Sequence, residues 1–144
     1  MSDTETTSIE ALILANHVEG INGLLYISGG GWTDHHRHIQ NSVVPPSHFG
    51  VGVSIRVPWH ATNEDHTIVV EVQNEDSTLT IARAEGTINV GRPAQLTRGD
   101  IQHAVIAMNV DTIFPQPGGY RVIATLDGDK SSATWPFRVH DVKA

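Results

Sequence analysis

Between Pro45-Pro46 and Pro58 the chain runs His48-Phe-Gly-Val-Gly-Val-Ser-Ile-Arg-Val57, and Phe49, Val51, Val53, Ile55 and Val57 fall on every second position. A period of two places those five side chains on one face of an extended strand and leaves His48, Gly50, Gly52, Ser54 and Arg56 on the other. No helix can bury such a set on one side. The flanking prolines cannot donate to a ladder and so mark its ends.

The same period recurs along the chain. His66–Asn74 carries Ile68, Val70 and Val72 on one face, and Glu75-Asp76-Ser77 turns it into Leu79 and Ile81, as in a hairpin. Ile101–Val110 aligns Ala104, Ile106, Met108 and Val110. Tyr120, Val122, Ala124 and Leu126 alternate before Asp127-Gly128-Asp129, and Ala133, Trp135, Phe137 and Val139 alternate after it. Asn22-Gly23 suits a two-residue primed turn, because both residues tolerate positive φ, and it pairs Ala11–Val18 with Leu24–Ser28. With a short strand at Thr87–Val90 the count is about nine, spaced as in a single-domain antiparallel β-sandwich of the immunoglobulin-like, Greek-key type. Tyr120, after Pro117-Gly118-Gly119, stands where such sandwiches place a tyrosine corner.

With 144 residues, one domain is expected over residues 11–144, after a polar leader at 1–10. There is no cysteine, which removes thiolate chemistry and disulfides. Net charge is −7, with sixteen Asp and Glu against nine Lys and Arg, and this disfavours nucleic acid and anionic membrane surfaces as partners. The acidic start has no secretory pattern and no segment is long enough to span a bilayer, so a cytoplasmic protein is expected, with a place in a virion or other large assembly also compatible.

Asp34-His35-His36-Arg37-His38 is the densest run of ionisable groups. Residues two apart on an extended chain share a face, so His36 and His38 would point together, with His35 nearby, as ligands for zinc or another transition metal. The competing picture is a solvated loop. A cupin-like reading lacks its glutamate, since Ser42 and Val43 stand at the required spacing. Ser28 before Gly29-Gly30-Gly31 has neither the flanks of a nucleophile elbow nor the Lys-Ser or Lys-Thr of a phosphate loop. The glycines, with Gly23, are read as structural, at a turn and a bulge. Three acidic turns, at 63–65, 74–76 and 127–129, could gather around calcium, but they are also simply good turn formers. Trp32, Trp59 and Tyr26 are the candidate contact residues, Trp59 above all, because large amphipathic rings in loops favour partners.

Asn22-Gly23 with Leu25-Tyr26, Gly29-Gly30-Gly31-Trp32, Val57-Pro58-Trp59, Gly91-Arg92-Pro93, Pro117-Gly118 with Tyr120, and Pro136-Phe137-Arg138-Val139 occur in this order. In them the chain resembles a family of small bacterial proteins of unknown function and similar length. The resemblance implies a β-sandwich and brings no known activity. The histidine run is not a feature associated with that family. The expectation is therefore a non-enzymatic module that binds a protein partner or itself through an edge strand or the Trp32–Pro46 loop, with a metal-binding protein or metal-dependent enzyme centred on His35, His36 and His38 as the alternative.

Overall fold

The computed structural model describes residues 6–143. They form two packed sheets of nine strands: β1 (Ser8–Ile21), β2 (Leu24–Gly30), β3 (Asp34–Ile39), β4 (Ser47–Pro58), β5 (Asp65–Asn74), β6 (Thr80–Asn89), β7 (Ile101–Thr112), β8 (Gly118–Leu126) and β9 (Ser131–Lys143). The sheets have the orders β2-β1-β4-β7 and β3-β9-β8-β5-β6. Among the described residues the only helical piece is a 3-10 turn, Trp59–Ala61. Half of the expected leader, residues 1–5, lies outside the described residues, but its end does not stay apart, since Ser8–Glu10 already belong to β1.

Nine strands are present, though not the nine that hydropathy picks out. Leu79 to Val90 does not hold two strands; the separate strand expected at Thr87–Val90 is the end of a continuous β6, in which Gly86 extends the ladder opposite Ile68. The count is restored by β3, in the run expected to be a loop. β3 pairs with β9 in parallel, Asp34 opposite Arg138 through Ile39 opposite Lys143, so the sandwich is not antiparallel throughout.

The core is the inner face of β4 (Phe49, Val51, Val53, Ile55, Val57) against Ile68, Val70 and Val72 of β5, Val122, Ala124 and Leu126 of β8, and Phe137 and Val139 of β9. Phe114 closes one end. Its ring lies 4.8 Å from Tyr120 and 5.8 Å from both Phe49 and Phe137, centroid to centroid. The Tyr120 hydroxyl donates to the Gln116 carbonyl at 2.6 Å, the bond of a tyrosine corner.

Asn22 and Gly23 both adopt positive φ and join β1 to β2, with Ile21 opposite Leu24. The pairing of β1 with β4 ends at Ala15 opposite Gly50, and there the Asn109 side chain stands in for a strand. Its Oδ1 accepts from the Val18 amide at 3.1 Å and its Nδ2 donates to the Val18 carbonyl at 2.8 Å. A Cβ on Gly50 would lie 2.8 Å from the Val18 nitrogen, so only glycine fits the close approach. The chain then changes sheets over three residues. The Gly31 amide donates to the Leu14 carbonyl on one side, and the Thr33 carbonyl accepts from the Arg138 amide on the other, each at 2.8 Å.

Candidate functional site

On β3 the side chains alternate, and the expected histidine set divides. His35 turns inward, where its Nε2 meets Ser47 Oγ at 2.8 Å and its ring lies between Trp32 and Phe114. Burial, with the charges of His36 and Arg37 beside it, holds its pKa below the usual imidazole value. His36 and His38 are exposed on the outer face. The His36 ring lies 4.9 Å from His140 on β9, whose Nε2 is 2.8 Å from Asp34 Oδ1. Among the described residues no group of three or more His, Cys, Asp or Glu is placed to hold a metal ion. His35, His36 and His38 therefore do not converge.

Between them sits a residue that hydropathy does not flag. Arg37 is buried, donates from Nε and Nη2 to the two Asp141 carboxylate oxygens at 2.6 and 3.0 Å, and from Nη1 to the Phe114 carbonyl at 2.6 Å. A planar fork against a carboxylate is the geometry in which arginine is hardest to replace. The hydrogen bond from Arg37 is the main reason that the Asp141 carboxyl sits below the ordinary carboxylate range.

A second unflagged group lies at one end of the sandwich. A cleft of about 520 Å³ opens there, lined by Thr6, Thr7, His60, Glu64, His66 and Lys130 among others. His66 is buried, with Nδ1 2.8 Å from Asp127 Oδ2 and Nε2 2.9 Å from the Ala61 carbonyl. Both neighbours only accept, so the ring satisfies both only as a doubly protonated imidazolium. Burial opposes that charge, but the hydrogen bonds to Asp127 and Ala61 outweigh it and the pKa rises. Asp127 answers in kind: burial pushes its carboxyl up, and the His66 and Thr67 hydrogen bonds bring the net value down. The signal for His66 was in the sequence, since it stands in phase with Ile68, Val70 and Val72. Of the three acidic turns, those at 63–65 and 127–129 share this end, whereas β5 carries 74–76 to the opposite one.

Residue types of a hydrolase triad meet at Glu10, Ser54 and His103 without forming one. Ser54 Oγ donates to Glu10 Oε2 at 2.8 Å, and His103 Nδ1 reaches the same oxygen at 2.6 Å. The hydroxyl faces a carboxylate, and no imidazole nitrogen stands against it as base.

The two loop tryptophans are engaged within the chain. The Arg92 guanidinium lies 3.9 Å from the Trp59 ring centroid and also bonds Thr62 Oγ1 and the Trp59 carbonyl, so Trp59 is half-buried under its own clasp. Trp32 is half-buried, edge-on to Phe137 at 5.8 Å, and its carbonyl accepts from Trp135 Nε1. Tyr26 is different: half of its surface is exposed, as are 59% of Leu24 and 43% of Ile27. All three lie on β2, an outermost strand. Of the four outermost strands, β3 carries Asp34 and Arg37, β6 carries Arg83 and Glu85, and β7 carries His103 and Asp111. β2, Leu-Leu-Tyr-Ile-Ser-Gly-Gly, has no ionisable group other than a tyrosine hydroxyl, and no proline.

With this geometry in view, the family pattern of DUF6941, a family of unknown function, matches residues 10–140. The chain belongs to DUF6941. No curated protein matches this DUF6941 chain. Among solved structures it is similar to a β-glucosidase from Listeria innocua crystallised with gluconolactone, at 10% identity and a TM-score of 0.47. That similarity covers 79% of the chain and 16% of the glucosidase. No helix among the described residues is long and apolar enough to cross a membrane.

Proposed function

We propose that this chain is a non-enzymatic binding and assembly module that works by strand addition at β2, and that its first partner is a second copy of itself. One observation carries the reading: β2 is the only outermost strand among the described residues without a charge or a proline to guard it. An unpaired edge offers a row of amides and carbonyls, and exposed Leu24, Tyr26 and Ile27 add apolar area beside them. Antiparallel β2-to-β2 pairing about a twofold axis joins two four-stranded sheets into one of eight and closes the assembly at a dimer. Such a surface also suits a subunit of a larger shell.

The sandwich behind this edge is read as immunoglobulin-like. Support comes from β1-β4-β7 facing β9-β8-β5, from a crossing strand, β3, that pairs in parallel with the last strand, and from the Tyr120 hydroxyl bond at the start of β8.

Sedimentation velocity over a wide concentration range tests the proposal. The wild-type chain is expected to pass from monomer to dimer, and Leu24→Lys with Tyr26→Lys to remain monomeric with its melting temperature nearly unchanged, since exposed substitutions stay within about 0.5 kcal/mol. A wild-type chain that stays monomeric throughout, or a double variant that still dimerises, sinks it.

A further inference from the structure

The outer face of the first sheet carries a row of four groups that neither the family nor the assembly reading assigns. His17 of β1 and His48 of β4 meet nitrogen to nitrogen: His17 Nδ1 is 2.9 Å from His48 Nε2, with ring centroids 5.2 Å apart. Their other nitrogens are each held by a carboxylate. His48 Nδ1 lies 2.8 Å from Asp111 Oδ1 on β7, and His17 Nε2 lies 3.3 Å from Glu19 Oε2.

The carboxylates only accept, so His17 Nε2 and His48 Nδ1 each donate outward. That leaves His17 Nδ1 and His48 Nε2, the two facing nitrogens, as the ones that offer lone pairs. They stand 2.9 Å apart, each on a ring whose distal nitrogen is fixed by a carboxylate. Carboxylate–imidazole pairs are the arrangement that sets the tautomer of metal-bound histidines and raises their basicity.

We propose that His17 Nδ1 and His48 Nε2 form a two-imidazole site for a late first-row divalent cation, Cu(II) or Ni(II). The separation favours that class. Two metal–nitrogen bonds of about 2.0–2.1 Å span about 2.9 Å at the right angle of a square-planar ion, and about 3.4 Å at the tetrahedral angle of zinc. Coordination requires each part-exposed ring to turn its lone pair off the line between the two nitrogens and onto the ion. Both side chains are over two-fifths exposed, at 44% and 42%, so water completes the coordination. Glu19 and Asp111 supply two negative charges against the divalent ion. In this site the histidines are ligands, and Asp111 and Glu19 are positioning residues. The site stands apart from β3: His36 and His38 lie on the other sheet. It does not depend on whether copies associate through β2.

The test is calorimetric titration of the full chain with Ni(II) chloride, together with electron paramagnetic resonance of the Cu(II) adduct. The wild-type chain is expected to bind one ion and to show two equatorial nitrogens. His17→Gln and His48→Gln should each weaken Ni(II) binding by at least about tenfold and remove one nitrogen from the spectrum. Asp111→Asn keeps both ligands and should weaken binding by about tenfold while the nitrogen count stays at two. His36→Gln with His38→Gln should leave the affinity within about twofold, as expected of residues outside the ligand set. Binding that is indifferent to His17 and His48, or that disappears with His36 and His38, overturns the proposal and marks an adventitious ion only.

Discussion

β2 and β3 are neighbours in sequence, separated only by Gly31, Trp32 and Thr33, yet they solve the edge problem in opposite ways. β3 closes the second sheet with Asp34, His36 and His38 turned to solvent and Arg37 turned in, locked to Asp141. Charge on an outermost strand discourages a second chain from pairing with it. β2 closes the first sheet with leucine, tyrosine, isoleucine and glycine, and nothing discourages pairing there. One short crossing thus divides a guarded edge from an open one, and the open edge is where contact is expected.

The sharpest way to break the guarded side is from beneath. Phe114 packs against His35 and supplies the carbonyl that Arg37 holds, so Phe114→Ala should cost about 3–5 kcal/mol in urea unfolding. A loss under about 1 kcal/mol would show that β3 does not depend on this corner. The open side should respond less. Gly30→Val sets a Cβ 2.7 Å from Ile27 Cγ2 and 3.1 Å from Ile13 Cδ1, which is overpacking worth about 1–3 kcal/mol. Gly29 and Gly31 have positive φ and Gly30 does not, so crowding and not backbone strain is the cause, and Gly30→Ala should recover part of the loss.

Histidines sharpen the contrast. His36 and His38 lie in solvent, whereas His66 is an imidazolium inside the fold, and His66→Gln should cost about 1–3 kcal/mol by leaving its acceptors short of a donor. The sign with pH follows from the two shifts. His66 has a raised pKa, so its contribution is complete below the ordinary imidazole value and is lost as pH climbs through the folded one. Asp127 has a lowered pKa, so its contribution is present above the ordinary carboxylate value and is lost as pH falls through the folded one. Wild type should exceed His66→Gln most between those limits, in mildly acid solution. A difference in melting temperature that grows toward alkaline pH would contradict the imidazolium.

Much of this architecture was legible in the residues. The alternation of β4, β5, β8 and β9 is visible because each buries one face in a common core, and Asn22-Gly23 announces its own turn. β3 was not legible, because its inward positions are a histidine and an arginine whose burial depends on Ser47, Asp141 and the Phe114 carbonyl, all distant in sequence. The length of β6 was hidden by Ala82, Ala84 and Gly86, small residues that carry little strand signal. Trp59 looked like a contact residue because its cover, Arg92, comes from a loop 33 residues away. The row from Glu19 through His17 and His48 to Asp111 needs three strands in register before it exists at all.

Amide hydrogen exchange on β2, read residue by residue at low and high protein concentration, tests the central claim most directly. Strand addition predicts that the β2 amides not facing β1 exchange freely in dilute solution and become protected as concentration rises, while the exposed amides of β6 and β7 do not change. Protection on β2 that is independent of concentration, or that appears on β6 or β7 instead, would contradict the account.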